Sequence, residues 1–274
     1  MNTSETLQLG HFSDYLKPRP RDWHKGNAGH VLVIGGGLGY SGAPRMAAEA
    51  ALRVGAGLVT VATHPSHAEL LNLARPEIMC AGVKSGADLT EFFKKAKLII
   101  VGPGLTITSW GRSLLKAVLK TSLPLVVDAD ALNILAQKPL ARDNWILTPH
   151  PGEAGRLLGL THEQVQADRL SAVRKLQTKY SGVCVLKGAG SLVSGDPVGV
   201  CKDGNPGMAT AGMGDVLSGV IGGLAAQGIP LADAAKLGVC LHARAGDLAA
   251  KDGGERGMLA MDLMPYLRKL CNPN

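Results

Sequence analysis

Short apolar runs alternate with helical segments along most of the chain, and this alternation limits the fold more than any other feature. The runs have few polar residues among their apolar ones, as strands that are buried on both faces require. These predicted strands are residues 30–34, 58–63, 77–81, 98–101, 125–128, 145–148 and 183–186. Strands that alternate with helices in this way predict an α/β fold, doubly wound, with a mostly parallel central sheet and helices on both faces.

The segments between and after these strands have the apolar spacing of helices. They are residues 43–54, 66–74, 89–95, 109–120, 131–136, 154–158, 162–180, 215–227, 231–250 and 263–270. Two short strands at 191–193 and 198–201, joined through Gly195 and Asp196, predict a small hairpin at an edge of the sheet. Because no linker or internal repeat divides the 274 residues, we expect one domain, 1–274.

Residues 1–29 are polar and contain proline, so we expect an irregular lead-in with Trp23 and His24 folded back on the core. The sequence has no signal peptide and no segment that could span a bilayer, which predicts a cytoplasmic protein without a membrane partner. Its five cysteines are widely spaced and odd in number, which favours reduced thiols. The net charge of +7 comes from dispersed Lys and Arg, so it indicates a small anionic ligand rather than nucleic acid.

Residues 204–223 join a glycine-dense polar loop to an apolar helix. Gly207, Gly212 and Gly214 permit positive φ angles, so successive backbone N–H groups can converge on an anion such as phosphate. Asp215 adds a carboxylate in the first helical turn, where an acid also stabilises the helix dipole. We expect Asp215 to be a general base beside an anion hole, since three glycines exceed what a helix cap needs; capping is the alternative.

A G-x-G-x-x-G pattern follows the first predicted strand, at Gly37, Gly39 and Gly42. The pattern is typical of a dinucleotide-binding site. The strand at 58–63, however, ends without the acidic residue that would hold a ribose, so we do not expect such a site here. The loop still follows the carboxyl end of a strand, where ligands of open sheets bind. Its last residues, up to Ala43, are therefore candidate substrate contacts.

Two further loops also follow strands. Gly104, in the motif VGPGL, indicates either a close approach of the backbone to a ligand or a tight turn. Asp128 and Asp130 lie in VDADALN at the end of another strand. We expect Asp130 to cap the next helix, and Asp128 is a candidate second carboxylate near a metal or a phosphate.

The motifs TPHPGE at 148–153 and KGAGS at 187–191 close two more strands. His150 is placed to touch substrate. Glu153, in a first helical turn, either matches the helix dipole or acts on Mg²⁺ through water, which we favour because Mg²⁺ keeps several waters. Lys187 either extends to solvent or holds phosphate oxygens. With no P-loop and no Ser-His-Asp order, a phosphate site without a Walker motif remains.

Taken in order, these motifs resemble the ADP-dependent NAD(P)H-hydrate dehydratase family, whose members have a ribokinase-like fold. The resemblance spans roughly residues 26–228 and rests on GNAGHVLVIGG, YSGAPRMAAEAALRVGAGLVTVAT, VGPGL, VDADALN, ILTPHPGEAGRLLG, LKGAGS and GNPGMATAGMGDVLSG. It implies an enzyme that restores the S-epimer of hydrated NADH or NADPH to NAD(P)H. In the implied reaction ADP phosphorylates the ring hydroxyl and phosphate then leaves, giving AMP and phosphate.

The resemblance also implies roles for individual residues. Asp215 would be the base, and Gly212 and Gly214 would belong to the anion hole. The residues implied to bind the adenine nucleotide are Lys187, Gly188, Ala189, Gly190, Ser191 and Gly214. Those implied to contact the hydrate are Ala43, Gly104, His150 and Asp215. Glu153 would act on Mg²⁺ through water.

The family further implies a homotetramer and a functional partnership with a separate NAD(P)H-hydrate epimerase, because the lead-in is too short to encode the epimerase domain of many bacterial members. Two other functions stay open. One is a ribokinase-like kinase of a small alcohol or vitamin precursor, and the other is a nucleotide-sensing binding protein without turnover. The preference for ADP over ATP rests wholly on the resemblance.

Overall fold

A computed structural model of the protein describes residues 3–272, and ten strands within them form one sheet. The strands are β1 (Ser4–Thr6), β2 (His30–Ile34), β3 (Leu58–Thr63), β4 (Met79–Gly82), β5 (Leu98–Val101), β6 (Leu125–Val127), β7 (Trp145–Leu147), β8 (Val183–Leu186), β9 (Ser191–Val193) and β10 (Val198–Cys201). Their order across the sheet is β1-β10-β9-β8-β7-β6-β5-β2-β3-β4. Every pair from β8 to β4 is parallel, and only β9 runs antiparallel to its neighbours.

Ten α-helices accompany these strands in residues 3–272. They are α1 (Gly42–Arg53), α2 (Thr90–Phe93), α3 (Ser109–Val118), α4 (Ala129–Gln137), α5 (Pro151–Leu158), α6 (His162–Ala167), α7 (Arg169–Tyr180), α8 (Met213–Ala226), α9 (Leu231–Gly253) and α10 (Met264–Leu270). Short 3₁₀ segments lie at Leu9–Leu16, Pro65–His67, Gly86–Leu89, Pro206–Met208 and Ala260–Leu263. None of the helices in this part of the chain has the length and apolar character needed to cross a membrane.

Two apolar cores lie on the two faces of the sheet. In β2, Val31 and Val33 belong to one core, and Leu32 and Ile34 belong to the other. The first core includes buried residues of α1, α8, α9 and α10, and the second includes buried residues of α3 to α7. Alternate side chains of a strand point to opposite faces, so a strand covered on both faces must be apolar throughout. The predicted doubly wound, mostly parallel fold is confirmed.

Small residues bring α1 and α8 into close contact. A Cβ atom on Gly219 would lie 2.1 Å from the carbonyl oxygen of Ala47, and one on Gly223 would lie 2.7 Å from that of Ala51. The backbones of the two helices therefore approach closely at these positions. This packing fixes α8, and with it the loop in front of α8, against the helix that follows the first glycine loop.

Several local predictions are wrong. Residues 66–74 do not form a helix, and only the 3₁₀ turn Pro65–His67 is present. Their apolar spacing has little core to face, since Leu70 and Leu73 are 65% and 75% exposed. The predicted helix at 162–180 is divided into α6 and α7, because Asp168 leaves the helical conformation and its carboxylate accepts the N–H of Ser171 at 2.9 Å.

The expected irregular lead-in also needs correction. It contains β1 and the 3₁₀ segment Leu9–Leu16, and β1 pairs with β10. The hairpin β9–β10 is therefore covered by a further strand and is not the outermost part of the sheet. β1 has only three residues, Ser-Glu-Thr, and none of them is apolar, so no strand pattern identifies it in the sequence. Trp23 and His24 are exposed and do not fold back on the core.

Candidate functional site

Loops at the carboxyl ends of five neighbouring strands form one rim of the sheet. Several hydrogen bonds join them: Gly37 N–H donates to the carbonyl oxygen of Gly104 at 2.7 Å, and Lys187 N–H donates to that of Pro149 at 2.9 Å. The predicted site residues of these loops thus lie along one edge. In parallel sheets with helices on both faces, this is the edge where ligands bind.

The loop before α8 reaches the same rim. Gly212 has φ +92°, and the first helical hydrogen bond runs from Val216 N–H to the carbonyl oxygen of Gly212 at 2.9 Å. Residues 213–215 therefore have N–H groups without a helical acceptor, at the positive end of the helix dipole. Only a residue that tolerates positive φ fits at position 212. Of the three glycines expected to take positive φ, only Gly212 does so, since Gly207 and Gly214 have ordinary backbone angles. The anion hole stays a prediction.

Asp215 lies in this first turn and is half-buried. Burial raises the pKa of its carboxyl to about 7, the negative charge of Asp128 adds to the rise, and the positive charge of Lys187 opposes it. Its carboxylate has no hydrogen-bond partner among residues 3–272 that would fix one protonation state. A carboxyl group with this pKa can accept and return a proton near neutral pH. The pKa of Asp215 responds to the charges of Asp128, Lys187 and Glu153. Asp215 therefore lies near them, at the same rim.

Lys187 is held beside Asp215 by a buried carboxylate. Its Nζ lies 2.7 Å from Oδ1 of Asp128, which is 1% exposed, and the hydroxyl of Ser218 donates to Oδ2 at 2.7 Å. Burial acts to lower the pKa of Lys187, but Asp128 and Glu153 outweigh it, and the net shift is upward. Lys187 is therefore a fixed positive charge at neutral pH, and a Cβ on Gly214 would lie only 3.3 Å from its Nζ.

Glu153 and His150 cap α5 together. The carboxylate of Glu153 accepts the N–H of His150 at 2.8 Å, and Nδ1 of His150 accepts the N–H of Gly152 at 3.0 Å. Burial, with the charge of Lys187, lowers the pKa of His150 to about 4, so its ring is neutral. Burial raises the pKa of Glu153, and Lys187 opposes that rise from 3.7 Å. Half of the His150 side chain stays exposed at the rim.

The residues present suit Mg²⁺ only in a limited way. Asp128 and Glu153 supply carboxylate oxygens, the ligand type that Mg²⁺ prefers, but both are already close to Lys187. Residues 3–272 contain no group of three or more His, Cys, Asp or Glu side chains that could hold a metal ion. The donor set therefore fits an ion held mainly by water and phosphate oxygens, with one carboxylate acting through water.

The loop at 187–191 is supported by a residue that the sequence did not reveal. The guanidinium of Arg169 donates to the carbonyl oxygens of Ala189, Leu186 and Lys187, the last two at 3.2 and 3.3 Å. Gly188 and Gly190 have φ +139° and +67°. Arg169 follows the break between α6 and α7, and no pattern around it indicates this contact.

Asp130 is not a helix cap, contrary to the prediction. Its carboxylate accepts the N–H of Thr106 at 2.8 Å and so connects the loop after β5 to α4. Thr106 and Ala129 have φ +62° and +48°, which side chains rarely adopt and which the surrounding contacts must hold in place. Gly104 lies between these loops, where a Cβ would be 2.7 Å from the carbonyl oxygen of Tyr40.

Ser218 was also missed, although a signal for it existed. It stands four residues after Gly214, one helical turn along the same face, so its hydroxyl faces the rim. The sequence does not show that Asp128 would be its partner, because 90 residues separate the two. Ala43, in the first turn of α1, is half-buried at the end of the first glycine loop.

Comparison with known proteins identifies the family of this chain. The profile of a family described as NAD(P)H-hydrate dehydratase matches residues 31–269. An ADP-dependent (S)-NAD(P)H-hydrate dehydratase of Neisseria meningitidis serogroup B is 42% identical over 273 residues, covering 95% of this chain and 91% of the relative. A bifunctional NAD(P)H-hydrate repair enzyme of Coxiella burnetii is 57% identical over 260 residues, covering 94% of this chain and 53% of the relative. The chain spans about half the length of such bifunctional relatives.

Solved structures give the same result. The ADP/ATP-dependent NAD(P)H-hydrate dehydratase of Bacillus subtilis, co-crystallised with ATP and Mg²⁺, superposes with a TM-score of 0.86 at 26% identity and covers 98% of both chains. Ribokinase of Arabidopsis thaliana superposes with a TM-score of 0.58 at 13% identity, over 90% of this chain and 99% of the ribokinase chain, and so shares the fold alone. The resemblance read from the motifs is confirmed, and the chain belongs to the NAD(P)H-hydrate dehydratase family, on a ribokinase-like fold.

Proposed function

We propose that this protein is an ADP-dependent (S)-NAD(P)H-hydrate dehydratase. It would restore the S-epimer of hydrated NADH or NADPH through phosphorylation of the ring hydroxyl by ADP and elimination of phosphate, with AMP and phosphate as products. The observation that carries the proposal is Asp215, a carboxyl group with a pKa of about 7 beside the free N–H groups of α8. The Neisseria relative, which matches nearly end to end, supports this choice of reaction.

Asp215 would act as the general base. Its carboxylate takes the proton of the ring hydroxyl while that oxygen forms a bond to the terminal phosphoryl group of ADP, and the bond from that phosphoryl group to AMP breaks. Hydroxide leaves a carbon atom poorly and phosphate leaves it well, so this transfer prepares the elimination. A base contributes most when its pKa lies near the working pH, as that of Asp215 does.

The N–H groups of residues 213–215 would hold the transferred phosphoryl group. Lys187 adds a fixed positive charge next to them, which stabilises the negative charge on the phosphoryl oxygens. Asp128, which accepts a hydrogen bond from Ser218, holds Lys187 and keeps its Nζ close to Gly214. Because these groups are in place before substrate binds, little reorganisation is needed during the reaction.

The adenine nucleotide would bind along residues 187–191, namely Lys187, Gly188, Ala189, Gly190 and Ser191, with Gly214 opposite. Arg169 holds this loop through three carbonyl oxygens and is a positioning residue. Ala43, Gly104 and His150 would contact the hydrate. The neutral ring of His150 offers a hydrogen bond without a second positive charge.

Mg²⁺ would neutralise charge on the phosphate oxygens when it is bound. Glu153 is the carboxylate that we propose acts on it through water. Burial raises the pKa of Glu153, and the charge of Lys187 opposes that rise. We further propose a homotetramer, a cytoplasmic location consistent with the free thiols of the five cysteines, and a functional partnership with an NAD(P)H-hydrate epimerase.

The test is a turnover assay with purified protein, ADP, Mg²⁺ and hydrated NADPH. The proposal predicts recovery of the NADPH absorbance together with one AMP and one phosphate per NADPH formed. A kinase of a small alcohol would instead give no NADPH and would leave a stable phosphate ester when offered its alcohol. A nucleotide-sensing protein would bind ADP without any product, and either result would reject the dehydratase.

A further inference from the structure

A groove lined by arginines lies along one face of α1, and none of the site residues described above lines it. Arg45, Glu49 and Arg53 stand four residues apart on that face. Two adjoining cavities of about 550 and about 500 Å³ follow the helix and share several lining residues. The shared charged residues are Glu49, Arg53, Arg75 and Arg268. We call this region the arginine groove.

The deeper of the two cavities lies at the opposite edge of the sheet from Asp215. α1 follows the carboxyl end of β2, so Arg53 at the end of α1 lies near the amino ends of the strands. Gly57, four residues later, bonds to the carbonyl oxygens of Ala28 and Gly29, which precede β2. A ligand in this cavity would therefore be separated from the catalytic rim by the length of the sheet.

Positive charge dominates the arginine groove. Its cationic lining residues are Lys17, Arg19, Arg45, Arg53, Arg75 and Arg268, and its acidic ones are Glu49 and Glu77. The surplus of four positive charges is more than half of the net charge of +7 on the whole chain. Such a concentration of one sign in a concave surface attracts anions.

The internal ion pairs do not use up this charge. Glu49 is 2% exposed and accepts from Arg75 at 2.6 Å and from Arg53 at 3.4 Å, so one carboxylate orients two guanidinium groups. Arg45 and Arg268 have no carboxylate within 4.0 Å among residues 3–272. The Nε donors of Arg45 and Arg75 are buried without an acceptor in the same part of the chain. Buried polar atoms of this kind are normally paired, but these two donors and Oε2 of Glu49 have no partner among the described residues.

We propose that the arginine groove is a second anion site, which binds a small molecule carrying several phosphate groups. Guanidinium groups bind phosphate oxygens through two parallel hydrogen bonds, and a cluster of five suits a chain of phosphates better than a single phosphate group. The apolar lining residues of the deeper cavity, which include Leu52, Leu224 and Ile229, give the organic part of such a molecule a place to pack. The proposal does not depend on the dehydratase activity.

Inorganic tripolyphosphate is the probe for the test, measured by calorimetric titration of the native protein. A parallel titration of the Lys187→Gln variant identifies the part of the binding that occurs at the rim. The groove variant is Arg45→Gln with Arg268→Gln, because neither side chain holds a buried partner and the protein should fold unchanged. The control is Lys116→Gln with Lys120→Gln, two exposed lysines of and just after α3. This control removes two positive charges, as the groove variant does, but outside the arginine groove.

We expect the Arg45→Gln, Arg268→Gln variant to weaken tripolyphosphate binding at least tenfold, about 1.4 kcal/mol, and the control to change it less than twofold. Binding should also weaken from tripolyphosphate to pyrophosphate to phosphate. Equal affinity in the groove variant and its parent would overturn the proposal. So would an equal loss in the control, which would indicate attraction by net charge alone. Because no hydrate or ADP is present, the result is independent of the assay for the dehydratase.

Discussion

The rim at the carboxyl ends of the strands and the arginine groove differ in the charges that they bury. At the rim, four carboxyl groups, Asp128, Asp130, Glu153 and Asp215, act on one another around a single lysine, and the pKa of Asp215 rises to about 7. In the groove, six cations surround two acids, and the buried acid, Glu49, is paired with two arginines. Guanidinium groups stay charged at any ordinary pH, so the groove has a constant charge, whereas the rim can change its charge near neutral pH.

This difference indicates what each region is suited to do. Burial and a surplus of carboxyl groups over cations raise the pKa of Asp215 towards neutral pH, which suits proton transfer. A surplus of arginines over acidic residues leaves hydrogen-bond donors available, which suits a site that binds an anion and does not react with it. The predictions below test whether the two regions behave so differently.

The largest effect is expected for Asp215→Asn. An amide cannot take the hydroxyl proton, so kcat should fall by about 10²–10⁴, the range typical of general-base catalysis, while ADP binding is kept. In the native protein, kcat/KM should rise with pH up to about 7 and then level off, because the unprotonated carboxylate is the active form. Asp22→Asn, at an exposed position, is the control. An Asp215→Asn variant with native kcat would remove Asp215 from the mechanism.

The same substitution should stabilise the fold at high pH. The folded state holds the Asp215 proton up to a pH of about 7, and the unfolded state loses it near 3.8, so the native free energy of unfolding decreases as pH rises between these values. The Asp215→Asn variant has no carboxyl group at this position, so its free energy of unfolding does not decrease in this way. In urea unfolding, the free energy of unfolding of the variant minus that of the native protein should grow by roughly 2 kcal/mol between about pH 5 and about pH 8. This figure allows for the partial exposure of the side chain. A stability difference between the two proteins that is the same at both pH values would contradict the raised pKa of Asp215.

Lys187→Met tests the buried ion pair. Without Nζ, the carboxylate of Asp128 keeps only the hydroxyl of Ser218, and we expect a loss of about 3 kcal/mol in the free energy of unfolding. The pKa of Asp215 should rise further, since Lys187 lowers it, and the pH–rate profile should move to higher pH.

Lys236→Met is the matched control for that change. Lys236 pairs with Glu5 at 2.8 Å, almost the same distance as in the buried pair, but Glu5 is 43% exposed. Solvent weakens such a pair, so we expect a loss of less than about 1 kcal/mol and no change in the pH–rate profile. Equal losses in the two variants would mean that burial does not distinguish these pairs.

The smallest effect is expected for Glu49→Gln in the arginine groove. The variant keeps a hydrogen-bond acceptor for Arg75 and Arg53, both of which can hydrate in part, so the loss of stability should be about 1–2 kcal/mol. The pH–rate profile should stay unchanged, and tripolyphosphate should bind more tightly because one negative charge is gone. Glu91→Gln, in an exposed pair with Lys94, is the stability control. A shifted pH–rate profile would show that the two regions are not independent.

Much of the fold was predictable because the pattern of each parallel strand is local. β2, β3, β8, β9 and β10 begin and end at the predicted residues, and α8 begins within two residues of its predicted start. Glycines after β2, β5 and β8 and a proline after β7 mark four of the five loops of the rim. The helix predicted at 66–74 is absent because the apolar residues that gave the helical spacing have little core to pack against. β1 was not predicted because it is held by its pairing with β10, whose residues are 194 positions away in the chain.

The candidate site was predictable as a set of loops but not as a set of contacts. The positions of Asp215, Lys187 and Glu153 follow from strands that end in glycine or proline motifs. That Asp128 binds Lys187 across 59 residues and Ser218 across 90 follows from the order of the strands in the sheet. Arg169 had no sequence signal at all. The domain division, the individual site roles, the Mg²⁺ ion and the tetramer stay predictions.

The sequence by itself determined the order of strand, glycine loop and helix, the polar side chains at each strand end, and the family. These are local properties, set by periodicity and by the conformations that glycine permits. The tertiary structure alone decided the pKa of Asp215, the capture of Lys187 by Asp128 and the arginine groove. Each of these depends on burial and on charges from distant parts of the chain, because the energy of a charge is set by what surrounds it in space.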